Sequence, residues 1–303
     1  MATPLALAAP KGPALPSGRV GVIFSIAPFS LPAVRWWPSL VLSLLGLAVV
    51  TDARDLKPQT LKAYEHYLAL TDERLAAERS GAAPFLWIDR QPPAAREALM
   101  ARLRSGEVVV EKLETRDHGK SIDASDGLIH HWIGTVFVPN VPVDRIIATV
   151  QGYDRYPKML EPMIQRARVI THSDNHYVVG MRTSVKKVIT VVMDIDYVVD
   201  YHYVTPTRIW TTNAATNIFE VSDAGTAGER RTPADQTSGL LWRFWMTCGF
   251  EGRPDGSLEQ CESVTLTRGI PFGLSWFIKP FVTGIPRDTM EFTLSKIRAD
   301  VMH

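Results

Sequence analysis

The sequence is poor in most of the features that announce a chemistry. It has two cysteines in 303 residues, Cys248 and Cys261, too few for a thiolate cluster. It lacks an excess of either charge, with 33 basic against 32 acidic residues and a formal net charge of +1. Without clustered lysine and arginine to meet phosphates, nucleic acid is excluded as a partner. Low-complexity tracts and repeats at solenoid periods are absent, which removes repeat architectures. There is no G-x-S-x-G elbow, no phosphate-cradling glycine loop, and no helix with the paired histidines and intervening glutamate of a zinc protease. Among the eight histidines, His130 and His131 are neighbours on a predicted strand, point to opposite faces and cannot chelate together. Asp194 and Asp196 share a face, but it is the wet one, where carboxylates are usually just solvated. The expectation is therefore no catalytic residue, no metal and no cofactor.

The longest apolar run, Trp36 to Val50, is shorter than the roughly 20 residues of a membrane span. It follows Arg35 and precedes Thr51-Asp52-Ala53, so basic, hydrophobic and small-residue parts stand in the order of a secretory signal. Export to the periplasm is the favoured reading, and an anchor through residues 36–50 the alternative. The Ala- and Pro-rich stretch Met1 to Ser30 has no sustained period and reads as a disordered leader. The late position of the signal points to a true start near Val34.

The two cysteines flank a turn at Arg253-Pro254-Asp255-Gly256, and register decides whether they can bond. A two-residue Pro254-Asp255 loop sets them opposite each other, whereas a three-residue loop ending in Gly256 sets Cys248 opposite Glu262. The second register lays Trp242, Phe244, Met246, Cys248 and Phe250 beside Val264 and Leu266, the better match for one buried face, so no disulfide is expected.

What the sequence does have is patterning. Gln59 to Arg79 reads as a helix with Leu61, Tyr64, Leu68 and Leu75 on one face. A second helix runs from about Pro93 to Arg104 and stops before Gly106. Glu107 to Glu114, with Val108-Val109-Val110, reads as a strand. Residues 54–127 thus form a helical arm too small for its own core, expected to pack on the C-terminal remainder of the chain. Leu128 to Val138 is a strand, and Val143, Ile146, Ile147 and Val150 mark a helix. The pairs Tyr156-Pro157 and Glu161-Pro162 leave room for one more short helix. From Ile189 to Tyr203 the odd positions are apolar or aromatic and the even ones include Asp194, Asp196, Asp200 and His202, which means one dry face and one wet face. Runs at Tyr177 to Val185, Arg208 to Val221, Leu240 to Gly252 and Leu258 to Arg268 complete an antiparallel meander, interrupted by a mobile loop at Ser222 to Ser238. After Arg268 the pattern is helical again, with Pro280 and Pro286 dividing it.

Strand, two short helices, long meander and closing helix is the order of the helix-grip fold. The stretch Tyr153-Asp154-Arg155-Tyr156-Pro157 through Met163, the meander, and the ending Arg268-Gly269-Ile270-Pro271 through Leu294 resemble the START-like superfamily, which also includes the polyketide cyclases and coenzyme Q-binding proteins. The resemblance covers 128–303 and rests on pattern and order. It implies an α+β fold in which a curved antiparallel sheet wraps a long C-terminal helix. It also implies a tunnel between them that accepts sterols, lipids, quinones, aromatic polyketides or plant hormones.

On that frame the expected ligand contacts are large apolar residues of the dry faces and the closing helix: Met181, Met193, Tyr201, Trp210, Trp242, Phe244, Trp276 and Phe277. Glu262 and Arg268 share a parity with Val264 and Leu266 and are the candidate polar anchors, equally readable as an internal salt bridge. Arg182 and Arg243 fall on the opposite faces and are expected in solvent. The functional expectation is binding or transport of a hydrophobic small molecule, with contact to a membrane during ligand exchange. A cyclase or aromatase using the same cavity is the alternative.

Overall fold

The structure, a computed structural model, describes residues 56–186, 190–237, 239–269 and 275–303, the side chains of 275–283 excepted. The leader and the signal-like run lie outside the described residues. Helix α1 (Pro58–Arg79) starts with proline at a position where the missing N–H costs nothing, and α2 (Pro93–Arg104) does the same. Then come β1 (Val109–Lys112), a small hairpin of β2 (Arg116–Asp117) and β3 (Lys120–Ser121), and β4 (Gly127–Pro139). Helices α3 (Val143–Val150) and α4 (Tyr156–Met159) lead into a meander of β5 (Ile164–Ser173), β6 (His176–Lys186), β7 (Thr190–Thr205) and β8 (Arg208–Ser222). Strands β9 (Arg230–Pro233), β10 (Arg243–Arg253) and β11 (Gly256–Arg268) come next, and α5 (Ser275–Met302) closes the chain.

The main sheet has the order β1-β4-β11-β10-β8-β7-β6-β5, with β9 paired to β8, and its ladders are antiparallel. Helix α5 packs on β4, β1 and β11 and touches α3 and α4, while α3 reaches β10 and α4 reaches β5. The helices therefore bridge from one side of the sheet to the other across a single face, the helix-grip arrangement that the order of elements predicts. Gly134 makes the close approach feasible, because a Cβ there would come within 2.6 Å of Met290 Sδ and 2.7 Å of Leu294 Cδ1. Met290, Leu294, Ile297 and Val301 form the buried stripe of α5, each contributing roughly 1.5–3 kcal/mol by leaving water.

The opposite face of β4, β11 and β10 is covered too, by the N-terminal arm. Tyr64 and Tyr67 of α1 pack with Trp242, Val264 and Leu266. Leu86, Ile88 and Leu103 pack with Val109, Phe137 and Leu258. Strand β11 is accordingly buried along almost its whole length on both faces.

That second covering layer overturns the expected register. Arg253 pairs with Gly256, the loop is Pro254-Asp255 alone, and Cys248 sits opposite Cys261 in a disulfide. Gly256, at φ +152° and with Val138 O crowding the place where a Cβ would stand, can start the strand where other residues cannot. Val264 and Leu266 are apolar because α1 lies on them, not because they share a face with Phe244 and Met246.

Other expectations also change. Strand β5 has no signal in the pattern because it is an edge strand, exposed along most of its length, and needs no alternation. The stretch from Ser222 to Ser238 is not simply a loop, since it contains β9 and a 3-10 turn at Ala234–Gln236. Arg182 is only 7% exposed, because that stretch brings Glu229 over it, 2.7 Å away and beside Asp194 at 2.7 Å. Arg243 is half-buried rather than free in solvent. The closing helix runs through Pro280 and Pro286 without dividing; its buried stripe outweighs the hydrogen bonds those prolines cannot make.

Candidate functional site

The register places the inner face of the sheet row by row. Paired residues of an antiparallel sheet share a face. One row reads Trp132, Ser263, Met246, Asn213, Val199 and Tyr177 from β4 across to β6. The next row toward the sheet end that carries Arg268 holds His130, Thr265 and Phe244, with Ala215 and Tyr197 beyond. In the other direction come Gly134, Cys261, Cys248, Thr211 and Tyr201, then Val136, Glu259, Phe250 and Ile209.

The rows differ in how well they are closed. Val136, Phe250 and Ile209 are fully buried under α3 and the stripe of α5. Trp132, Phe244, Met246, Ala215, Ile218 and Met181 belong to the same apolar cluster but stay partly exposed. The inner face of β10, β8, β7 and β6 is thus an apolar surface with partly exposed side chains, while α5 packs on β4, β1 and β11.

Tyrosines and a carboxyl finish the α3 end. Tyr153 and Tyr201 share a hydroxyl contact of 2.8 Å, and Tyr177 lies edge-on to Tyr201. Burial raises both Tyr153 and Tyr201, so the pair stays neutral. Glu259 is 1% exposed, its Oε2 has no partner among the described residues, and Oε1 faces Cys261 Sγ at 3.9 Å, a disulfide sulfur with no hydrogen to give. Burial pushes this carboxyl up to about 8, so it is uncharged at neutral pH.

The outer face has a different electrostatic design. Glu262 Oε1 accepts from Arg74 and from His131 Nε2 at 2.7 Å. Tyr67 Oη hydrogen-bonds His131 Nδ1 at 2.8 Å and accepts the Thr115 N–H at 2.7 Å, which orients the imidazole. Burial works to raise Glu262, yet His131 and Arg74 hold it below its ordinary value. Glu78 meets Arg74 at 2.7 Å and also Arg90, but there burial wins and the carboxyl is raised. A cleft of about 20 Å³ beside this network, lined by Arg79, Trp210, Thr247 and Gln260, has room for a water molecule and little more.

The expected contact residues divide accordingly. Met181, Met193, Tyr201 and Phe244 come together on the inner face. Trp210 does not: it stacks on His202 at 3.7 Å under the guanidinium of Arg79 at 3.9 Å, on the outer face. Trp242 is buried against α1, Glu262 belongs to the ion network, and Arg268 follows the outer-face parity of Leu266 at the end of β11. These four are corrected from the inner face to the outer one, for the same reason as the disulfide. The side chains of Trp276 and Phe277 lie outside the described ones. Missing from the expected set are Trp132, Asn213, Glu259 and Thr265. Trp132 has the parity of Gly134 and Val136, and Glu259 and Thr265 that of Cys261, so the two-residue turn would have brought them into view.

No protein-family model matches the chain, and no curated protein does. Similar solved structures include a STAR-related lipid transfer protein from Xanthomonas axonopodis, at 14% identity and a TM-score of 0.42, covering 64% of this chain and 99% of the other. The Zhui aromatase/cyclase from Streptomyces sp. R1128 is similar at 8% identity and 0.40, covering 57% and 94%. Human STARD10 is similar at 9% and 0.38, covering 69% and 80%.

Proposed function

We propose that the protein binds or carries a neutral hydrophobic small molecule, a lipid, quinone or aromatic compound, between the inner face of the sheet and α5, without catalysing a reaction. The observation that carries this reading is the half-open apolar surface of Met181, Phe244, Met246, Ala215 and Ile218. Covering it with a ligand gains about 25 cal/mol per Å² before the costs of association. Native mass spectrometry and an organic extract of purified protein test it: a stoichiometric apolar compound is expected, and protein that is free of one and takes up no lipid, quinone or aromatic contradicts it.

A second reading, a cyclase or aromatase acting on an aromatic precursor, draws support from the polar atoms of Trp132, Thr265, Asn213 and Glu259 on that same face, since such chemistry needs only a few positioned acids and bases. Turnover of a poly-β-ketone mimic, abolished in Glu259→Gln, is the outcome that would favour it over carriage.

We also place the protein in an oxidising compartment, reached through the signal-like segment or by anchoring at 36–50. The Cys248–Cys261 disulfide supports this, because such bonds persist outside reducing cytosol. Fractionation with N-terminal sequencing tests it. Cytosolic protein with both thiols free is the contrary result. Exchange of ligand at a membrane surface would show as accelerated transfer between vesicles.

A further inference from the structure

Ten buried side-chain polar atoms have no partner within the described protein, and four of them belong to inner-face residues: Trp132 Nε1, Thr265 Oγ1, Asn213 Oδ1 and Glu259 Oε2. Their surroundings separate them. Glu259 stands in the closed row, between fully buried Val136 and Phe250, where a ligand would have to displace packed side chains. Trp132 and Asn213 share the half-open row with Ser263 and Met246, and Thr265 stands beside Phe244 one row away. Thr265 itself is 5% exposed, so its hydroxyl is aimed into the apolar surface and not at bulk water.

The chemistry of the three groups is complementary. An indole N–H can only donate, a carbonyl oxygen of an amide accepts, and a threonine hydroxyl does either. From β4 to β6 the row Trp132, Ser263, Met246, Asn213, Val199 and Tyr177 holds no side chain charged at neutral pH; it ends at exposed Lys112, paired with Trp132 on the edge strand β1, and at exposed His172, paired with Tyr177 on β5. His130, next to it on β4, bonds to Thr267 Oγ1 at 2.9 Å, and burial, aided by Lys112, pushes it down to about 4. The cation of these two rows, Lys112, is exposed at the sheet edge, so neither row holds a buried counter-charge for a carboxylate or phosphate.

We infer that the ligand is an apolar molecule bearing uncharged oxygen groups, a hydroxyl or a hydroxyl next to a carbonyl, for which Trp132, Thr265 and Asn213 on the inner face of the sheet are the polar partners. This rests on the proposed binding of a hydrophobic molecule and narrows its class. A plain hydrocarbon leaves the three groups unmet, and an anion meets no buried counter-charge among them, only the solvated Lys112 at the sheet edge; both bind less well.

The test is calorimetric titration of the full-length protein with two matched sets: naphthalene, 2-naphthol and 2-naphthoate, then hexadecane, 1-hexadecanol and hexadecanoate. In at least one set the neutral alcohol is expected to bind about tenfold more tightly than both relatives, the equivalent of about 1.4 kcal/mol. In Trp132→Phe and in Asn213→Leu, each checked by circular dichroism and thermal melting, the alcohol loses that advantage while the hydrocarbon keeps its affinity within about twofold. The two positions lie on different strands, so a fold failure in one variant leaves the other to decide. Equal binding of alcohol and hydrocarbon to the unaltered protein, a preference for the anion, or equal weakening of every probe by both variants overturns the inference and leaves hydrophobic binding standing. If no probe of either set binds, both fall.

Discussion

The two faces of the strands β4, β11 and β10 are both buried, but they treat carboxyl groups in opposite ways. Under α1, carboxylates find partners: Glu262 the guanidinium of Arg74 and the imidazole of His131, Glu78 the guanidinium groups of Arg74 and Arg90. On the inner face, Glu259 meets no cation among the described residues, and the indole of Trp132 and the amide oxygen of Asn213 meet no protein partner there. A buried polar group that is satisfied holds structure together, whereas one left open on an apolar surface costs stability unless something else binds it. The outer face is the docking interface of the N-terminal arm, and the uncompensated carboxyl of Glu259 fits the binding proposed for the inner face.

The sharpest way to break this contrast is at the outer network. Arg74→Leu leaves Glu262 and Glu78 short of a shared cation, so a loss of about 3–5 kcal/mol in urea unfolding is expected, as for other broken buried pairs. A loss below about 1 kcal/mol would mean that α1 docks by apolar contact alone. Next is the disulfide on the inner face. Replacing both Cys248 and Cys261 with serine frees a loop of sequence separation 13 and is expected to cost about 3 kcal/mol on the loop-entropy estimate. An unchanged unfolding midpoint with and without reductant would contradict the bond.

Glu259 gives the pH counterpart. Its folded pKa of about 8 lies above its ordinary value of 4.5. Between those values the unfolded chain has released the proton and the folded chain has kept it, so stability falls as pH rises and levels off above about 8. Glu259→Gln removes that decline. Relative to the parent the variant gains stability from pH 5 to 8, on the order of a few kcal/mol at the upper end. A difference that does not vary with pH would show that the carboxyl is solvated or paired. The smallest effect expected is that of Trp210→Phe on ligand affinity, within about twofold, because that ring faces Arg79 and His202. A tenfold loss would move the ligand to the outer face.

Period-two alternation makes most of the meander readable, since Met193, Ile195, Tyr197, Val199 and Tyr201 are all buried as the pattern requires. The prolines at the start of α2 and α3, Pro93 and Pro142, are equally legible. What the pattern cannot reveal is a second covering layer. Val264 and Leu266 look like core by composition, and only the packing of Tyr64 and Tyr67 shows that their core is a different one. One wrong parity on β11 then carries Glu262 and Arg268 inward and leaves Glu259 and Thr265 out of the expected site. Strand β5 and the unbroken course of α5 are hidden for a related reason: edge position and tertiary packing override local propensity.

The central claim is that an apolar ligand lies against the inner face beside α5. Photolabelling of the full-length protein with a diazirine-bearing fatty alcohol, combined with peptide mass spectrometry, tests it most directly. Adducts are expected on the β6 and β10 peptides that carry Met181, Phe244 and Met246, and competition with unlabelled alcohol should remove them. Saturable labelling confined to α1 and the Trp210 side of the sheet would contradict the account.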